Sequence, residues 1–226
     1  MLQLRELTLL SISFRLIVAI FLGGILGMER GLKNRPAGFR TYILVSLGAC
    51  MVMMTNQYVF QAFGTGDPVR MGAQVISGIG FLGAGTIIVT KHRQIKGLTT
   101  AAGLWASACM GLAVGIGLYE VAILGCLFMF MSFTVLHRLD RYMRNRARVM
   151  DAYVEIRKEY NIKDLVLYLN KKNIDINILQ MEQDVAMEGS GVSFVVNIYG
   201  ENRHLTHTEM ILALKECKAI KYFEVL

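Results

Sequence analysis

Five apolar stretches, Leu7–Met28, Phe39–Phe60, Met71–Thr90, Leu98–Leu118 and Val121–Leu136, occupy most of the first 136 residues with hardly a charge inside them. Crossing a hydrocarbon core takes about 20 predominantly apolar residues, so each stretch is read as a membrane span, the fifth being short. Segments in lipid must satisfy their own backbone polar groups, which makes them helices. The first stretch is not read as a cleaved signal: its apolar region is too long, it contains Arg15, and it ends in Met28-Glu29-Arg30 without small residues for cleavage.

Charge divides the chain. Residues 1–150 carry a balance of +10 and residues 151–226 a balance of −3, giving the net +7. A basic excess confined to the apolar half points to membrane loops and excludes nucleic acid as the partner. Arg30, Lys33, Arg35 and Arg40 lie between spans one and two, and Lys91, Arg93 and Lys96 between three and four. Arg138, Arg141, Arg144, Arg146 and Arg148 follow span five, whereas the opposite side holds only Arg5 and Arg70. The positive-inside rule then sets the N-terminus outside and the C-terminal domain in the cytoplasm. The expected organisation is a transmembrane domain over 1–137, a basic connector over 138–150 and a cytoplasmic domain over 151–226.

Gly78-Ile-Gly80-Phe-Leu-Gly83 has the letters of a dinucleotide fingerprint, G-x-G-x-x-G. That motif needs a preceding strand, a following helix and an acid about 20 residues on. Here it lies inside an apolar span, and Thr99-Thr100-Ala101-Ala102 occupies the acid's place. Small residues in spans let helices approach closely. Ala73, Ser77, Gly80 and Ala84 on span three, Gly103, Ser107, Gly111 and Gly115 on span four, and Gly23 with Gly27 on span one have that spacing. The density of Gly78, Gly80, Gly83 and Gly85 leaves a second reading open, a broken helix whose backbone meets a ligand or ion.

Glu29 is the one acid in the connections between spans on the basic side, at a helix end where the macrodipole disfavours an anion. Pairing with Arg30, Arg35 or Arg40 and binding a cation are both open to it, so it is the candidate metal ligand if there is one. Arg15, inside span one, needs a partner, a wet cavity or a route to the interface. Gln74 and Ser77, and Thr99, Thr100 and Ser107, are read as interhelical hydrogen-bonding groups or as a path. Magnesium prefers oxygen ligands, yet the span interiors hold no Asp or Glu. Cys50, Cys109, Cys126 and Cys217 have no paired spacing and read as small buried side chains. His92, His137, His204 and His207 form no metal or catalytic pattern, so no enzyme and no cofactor is expected.

Residues 151–226 alternate as a strand at Ala152–Arg157, a helix at Lys163–Lys172 and a strand at Asp175–Gln183. Gly189-Ser-Gly191 turns into Val192–Tyr199, Thr206 caps a helix to Cys217, and Ile220–Val225 closes. The order β-α-β-β-α-β is the ferredoxin-like plan. The fold class expected is an α-helical membrane bundle of about five helices with a C-terminal α+β domain of that plan.

Four segments, Gly27-Met-Glu29-Arg30, Arg35-Pro-Ala-Gly38-Phe-Arg40-Thr41, Gly78-Ile-Gly80-Phe81-Leu-Gly83-Ala84-Gly85 and Lys96-Gly97-Leu98-Thr99-Thr100-Ala101-Ala102-Gly103-Leu-Trp105, closely resemble the MgtC/SapB family, in family order over roughly residues 15–120. The C-terminal part resembles that family's ACT-like cytoplasmic domain in pattern. The resemblance implies a bacterial inner-membrane protein linked to magnesium limitation and, in pathogens, to survival inside host cells. It implies a regulatory role on the ATP synthase and on a magnesium-importing P-type ATPase, with magnesium as ligand or signal, and Glu29, Arg30, Arg35, Gly38, Arg40, Gly80, Gly83, Gly85, Gly97 and Trp105 as matching motif positions. Many relatives have Asn where this chain has Thr99, and Lys158–Ile162 lacks the glycine common in amino-acid-binding ACT domains. A homodimer is expected. The competing expectation is a transporter of magnesium or another small solute with its path at a subunit interface.

Overall fold

The computed structural model describes residues 6–64, 67–90, 95–136, 138–139, 142–143, 149–172, 174–182, 190–200 and 207–225. Arg5, Lys91, Arg93, the connector residues Arg141, Arg144, Arg146 and Arg148, and Gly189 and Thr206 lie outside the described residues, as do His92, His137 and His204. The chain divides into two compact units, Met1–Ile88 with Ile95–His137, and Val89–Gln94 with Arg138–Leu226.

The first unit is helical. Helix α1 runs over Leu9–Leu32 and opens with a capping box: Ser11 N–H donates to Thr8 Oγ1 at 3.2 Å and Thr8 N–H to Ser11 Oγ at 3.0 Å. Helix α2, Phe39–Phe63, ends at Gly64 in the left-handed region. Helix α3 covers Arg70–Gly85, a short hairpin pairs β1, Ile88–Val89, with β2, Ile95–Lys96, and α4 covers Leu98–Gly115. Helix α5, Tyr119–Met131, continues into a π-helical turn at Ser132–Leu136. Among the described residues, α1, α2, α4 and α5 with its π turn are long and apolar enough to cross a membrane.

Helix α3 departs from the span expected at Met71–Thr90. Its 16 residues rise about 24 Å, short of a ~30 Å hydrocarbon core. The glycines do not break it; it stops after Gly85, where Thr86 Oγ1 donates back to the Gly83 carbonyl at 2.8 Å. Ile88 and Val89, read as the end of a span, are extended instead. Gly97 starts α4 with φ +100°, and its Cα sits against the Thr86 backbone, so both the angle and the space require glycine.

Helices α1, α2 and α4 share one core, with Ala19, Leu26, Tyr42, Cys50, Leu104 and Val114 buried in it. Small residues make that closeness possible. A Cβ on Gly27 would lie 2.7 Å from Phe39 Cα, one on Gly23 2.9 Å from the Tyr42 carbonyl, and one on Gly115 2.5 Å from the Cys50 carbonyl. Helix α3 is attached by a narrow stripe, Gly72, Ile79 and Gly83, with Ile79 packed among Ala49 and Ala108. Asn56 ties its start to α2, donating to the Pro68 carbonyl and accepting from Met71 N–H at 3.4 Å.

The second unit contains β3 (Val149–Arg157), α6 (Ile162–Asn170), β4 (Ile174–Glu182), β5 (Ser190–Gly200), α7 (His207–Glu216) and β6 (Ile220–Val225). The sheet order is β4-β5-β3-β6, and every neighbouring pair is antiparallel. With the β-α-β-β-α-β connectivity, that order is the split βαβ arrangement. Ala152, Val154 and Ile156 alternate onto a core shared with Leu165 and Leu169 of α6 and Met210 and Leu214 of α7. The α6 stripe read from sequence is therefore the packed one, Val166 lying at its half-buried edge.

Candidate functional site

Where α1 ends, a charged cluster is packed between helices. Glu29 and Arg30, in the last turn of α1, are 7 % and 4 % exposed. Glu29 Oε1 pairs with Lys33 Nζ, one helical turn on, and Arg30 Nη1 lies 3.7 Å from Glu29 Oε2. Lys33 Nζ also donates to the Phe133 carbonyl at 2.9 Å, joining the end of α1 to the π turn after α5. Arg30 reaches α4, donating to Thr100 Oγ1 at 3.4 Å, while its guanidinium sits 4.5 Å over the Phe133 ring. Phe133 in turn meets Tyr42 edge-on at 6.5 Å. Gly103 leaves room for both rings: a Cβ there would lie 2.8 Å from Phe133 Cζ and against the Tyr42 hydroxyl.

The structure thus brings Glu29, Arg30 and Thr100 together and adds Lys33, Tyr42, Gly103 and Phe133. Of the three arginines expected beside Glu29, Arg30 is there; Arg35 and Arg40 are exposed, and Lys33 takes the carboxylate instead. Lys33 stands four residues after Glu29 and could have been found by helical spacing alone. Phe133 could not, because it stands 100 residues farther along the chain than Lys33. Gly38 begins α2 beneath α1, where a Cβ would lie 3.4 Å from Gly31 Cα.

Polar groups continue along the seam of α1, α2 and α4. Arg30 Nε, the Glu29 oxygens and the hydroxyls of Tyr42, Ser46 and Ser107 are buried without a hydrogen bond of ordinary geometry. At the far end, fully buried Arg15 finds the partner it needs. It donates to the Gly115 carbonyl at 2.6 Å and to Gln57 Oε1 at 2.8 Å. A cation at the last carbonyl of α4 also complements that helix's dipole. The charged groups buried among this unit's described residues are therefore Arg15, Arg30 and Glu29, two cations and one anion. Among the described residues, no three His, Cys, Asp or Glu side chains come together.

The span-three positions form no part of this cluster. Gln74, Gly78, Gly80 and Gly85 are exposed on α3, and a Cβ added at any of those three glycines would meet nothing within 4 Å. Gly83 alone of that group is buried, 3.5 Å from Ala101 of α4 by the same measure. Thr99 and Trp105 are exposed on α4.

Residues 16–142 match the family model described as the MgtC family. The chain is 39% identical over 138 residues to "Putative magnesium transporter YhiD" of Escherichia coli strain K12, covering 58% of this chain and 63% of that one. It is 35% identical over 167 residues to protein SapB of Bacillus subtilis strain 168, covering 72% of each. To protein MgtC of Brucella abortus strain 2308 it is 39% identical over 135 residues, 60% of this chain and 55% of that one. The chain thus spans less than two thirds of the E. coli and Brucella relatives. No solved structure matches it. With the family model covering more than half of its length, this multi-pass membrane protein belongs to the MgtC family.

Proposed function

We propose that the chain is a regulatory protein of the bacterial inner membrane, not a carrier or an enzyme, and that it acts by docking on another membrane protein during adaptation to low magnesium. In this reading α3 joins the other four helices in the membrane, the N-terminus lies outside, and residues 138–150 link the bundle to an ACT-like cytoplasmic domain at 151–226. The observation that carries it is the open face of α3. Ala73, Ser77, Gly80 and Ala84 are all exposed, a helix side built for close approach, and a Cβ at Gly80 would meet no described residue within 4 Å. The partners are a second copy, a magnesium-importing P-type ATPase or the ATP synthase, and a role in survival inside host cells follows where the organism is a pathogen.

A photo-crosslinking residue in place of the exposed Phe81, beside that face, tests this in living cells. Capture of an ATPase subunit supports it; capture of lipid alone sinks it. Transport of magnesium is the second reading, favoured by the name of the E. coli relative and by the exposed Gln74 and Ser77. Against it stands the buried charge, two arginines to one glutamate, which repels a divalent cation. Magnesium entry into liposomes holding only this protein, abolished by Glu29→Gln, would establish transport and overturn regulation.

A further inference from the structure

Helices α1 and α5 leave between them a crevice of about 440 Å³ with no polar lining. Val18, Leu22 and Ile25 of α1 face Ile123, Cys126 and Phe130 of α5. Its floor is closed, because Leu22 and Cys126 are buried and the Cys126 thiol lies 3.8 Å from the Leu22 carbonyl. The volume falls in the ~300–1,000 Å³ range of ligand sites. One turn beyond Ile25 along α1 comes Glu29, and one turn beyond Phe130 along α5 comes Phe133. Lys33 bridges the two with its ammonium, and about a third of its side chain (32%) remains accessible. An apolar trough therefore leads to a cation at the helix ends. The same segment holds Arg30, Lys33, Arg35 and Arg40 against the single carboxylate of Glu29, an excess of three positive charges.

We propose that this crevice is a binding site for an anionic phospholipid, one acyl chain lying between α1 and α5 and its phosphate meeting Lys33. The apolar walls choose a hydrocarbon chain, and the charge at the end chooses an anionic headgroup over a zwitterionic one. The site is independent of any partner on α3 and of the regulatory reading.

Purified full-length protein, in neutral detergent with equal amounts of dioleoyl phosphatidylglycerol and dioleoyl phosphatidylcholine, is read by native mass spectrometry and by melting temperature. The wild type should retain one phosphatidylglycerol, preferred roughly fivefold, about what one lysine near an anionic surface contributes. Lys33→Gln should erase the preference between the two lipids. Val18→Trp fills the trough and should abolish retention of both; Ile123→Trp fills it from the other wall and serves if the first variant does not fold. Equal retention of the two lipids by the wild type overturns the headgroup contact, and retention of neither overturns the site. Undiminished retention by a folded Trp variant shows that the lipid lies elsewhere.

Discussion

Helices α4 and α3 carry the same pattern and live in opposite surroundings. Gly103, Ser107, Gly111 and Gly115 of α4 are all buried, whereas Ala73, Ser77, Gly80 and Ala84 of α3 are all exposed. The difference lies across from them. Helix α2 presents Tyr42, Ser46, Ala49 and Cys50 to α4, so closely that a Cβ on Gly111 would lie 2.9 Å from Ala49 Cβ. Among the described residues, nothing stands within 4 Å of where a Gly80 Cβ would lie. Small-residue spacing thus states that a helix can be approached closely, and only the neighbour decides whether it is. On α4 that capacity is used within the chain; on α3 no described residue uses it.

The contrast can be broken by substitution. The largest effect should come from Glu29→Ala in the packed cluster, which leaves Arg30 buried without its anion. About 3 kcal/mol of stability should go, the low end of the range for a buried pair because Lys33 is a third exposed. Chemical denaturation in detergent micelles measures it, and a loss near zero would mean that the cluster does not hold α1 to the bundle. Next, Gly115→Ala should cost about 2 kcal/mol by forcing a methyl against the Cys50 carbonyl. An unchanged melting temperature would place α2 farther from α4 than described. Gly80→Ala has the opposite sign: the isolated chain should gain up to about 1 kcal/mol from better helix propensity. The same change should weaken crosslinking to the partner, and if both stability and crosslinking are unmoved, the α3 face is only lipid-facing surface.

The smallest effect belongs outside the membrane. Exposed Lys172 pairs with Glu216 between α6 and α7, and that hydrogen bond raises the lysine pKa. A raised lysine contributes its stability below the ordinary lysine range and loses it as pH rises through the elevated value. Lys172→Ala should leave the melting curve at neutral pH almost unmoved, since solvent screens exposed pairs. A clear drop would show that α6 and α7 depend on this contact more than on their shared apolar core.

Much of the molecule was legible from residue order. Apolar runs located α1, α2, α4 and α5 because lipid leaves the backbone no other way to satisfy itself. Two-residue alternation in Ala152–Arg157 and the stripe of Leu165 and Leu169 located β3 and α6, because each is the imprint of one buried face. The cluster at the end of α1 was half legible. Glu29 stood out as an acid without an obvious place, but Thr100 and Phe133, which accept from Arg30 and Lys33, lie 70 and 100 residues along the chain from them, and no local periodicity connects them.

Residue order by itself determined where the long apolar helices lie, which faces can be approached closely, and that the span interiors hold Arg15 but no acid. Those properties depend on each segment's own side chains and on solvent. Tertiary structure alone decided that α3 stops at Gly85, that Arg30 reaches Thr100 and Lys33 reaches Phe133, that Arg15 caps α4 at Gly115, and that one of two similar small-residue stripes is filled while the other is exposed. Each of those depends on what a distant segment places within a few ångströms, and the spacing of residues along a chain carries no record of that.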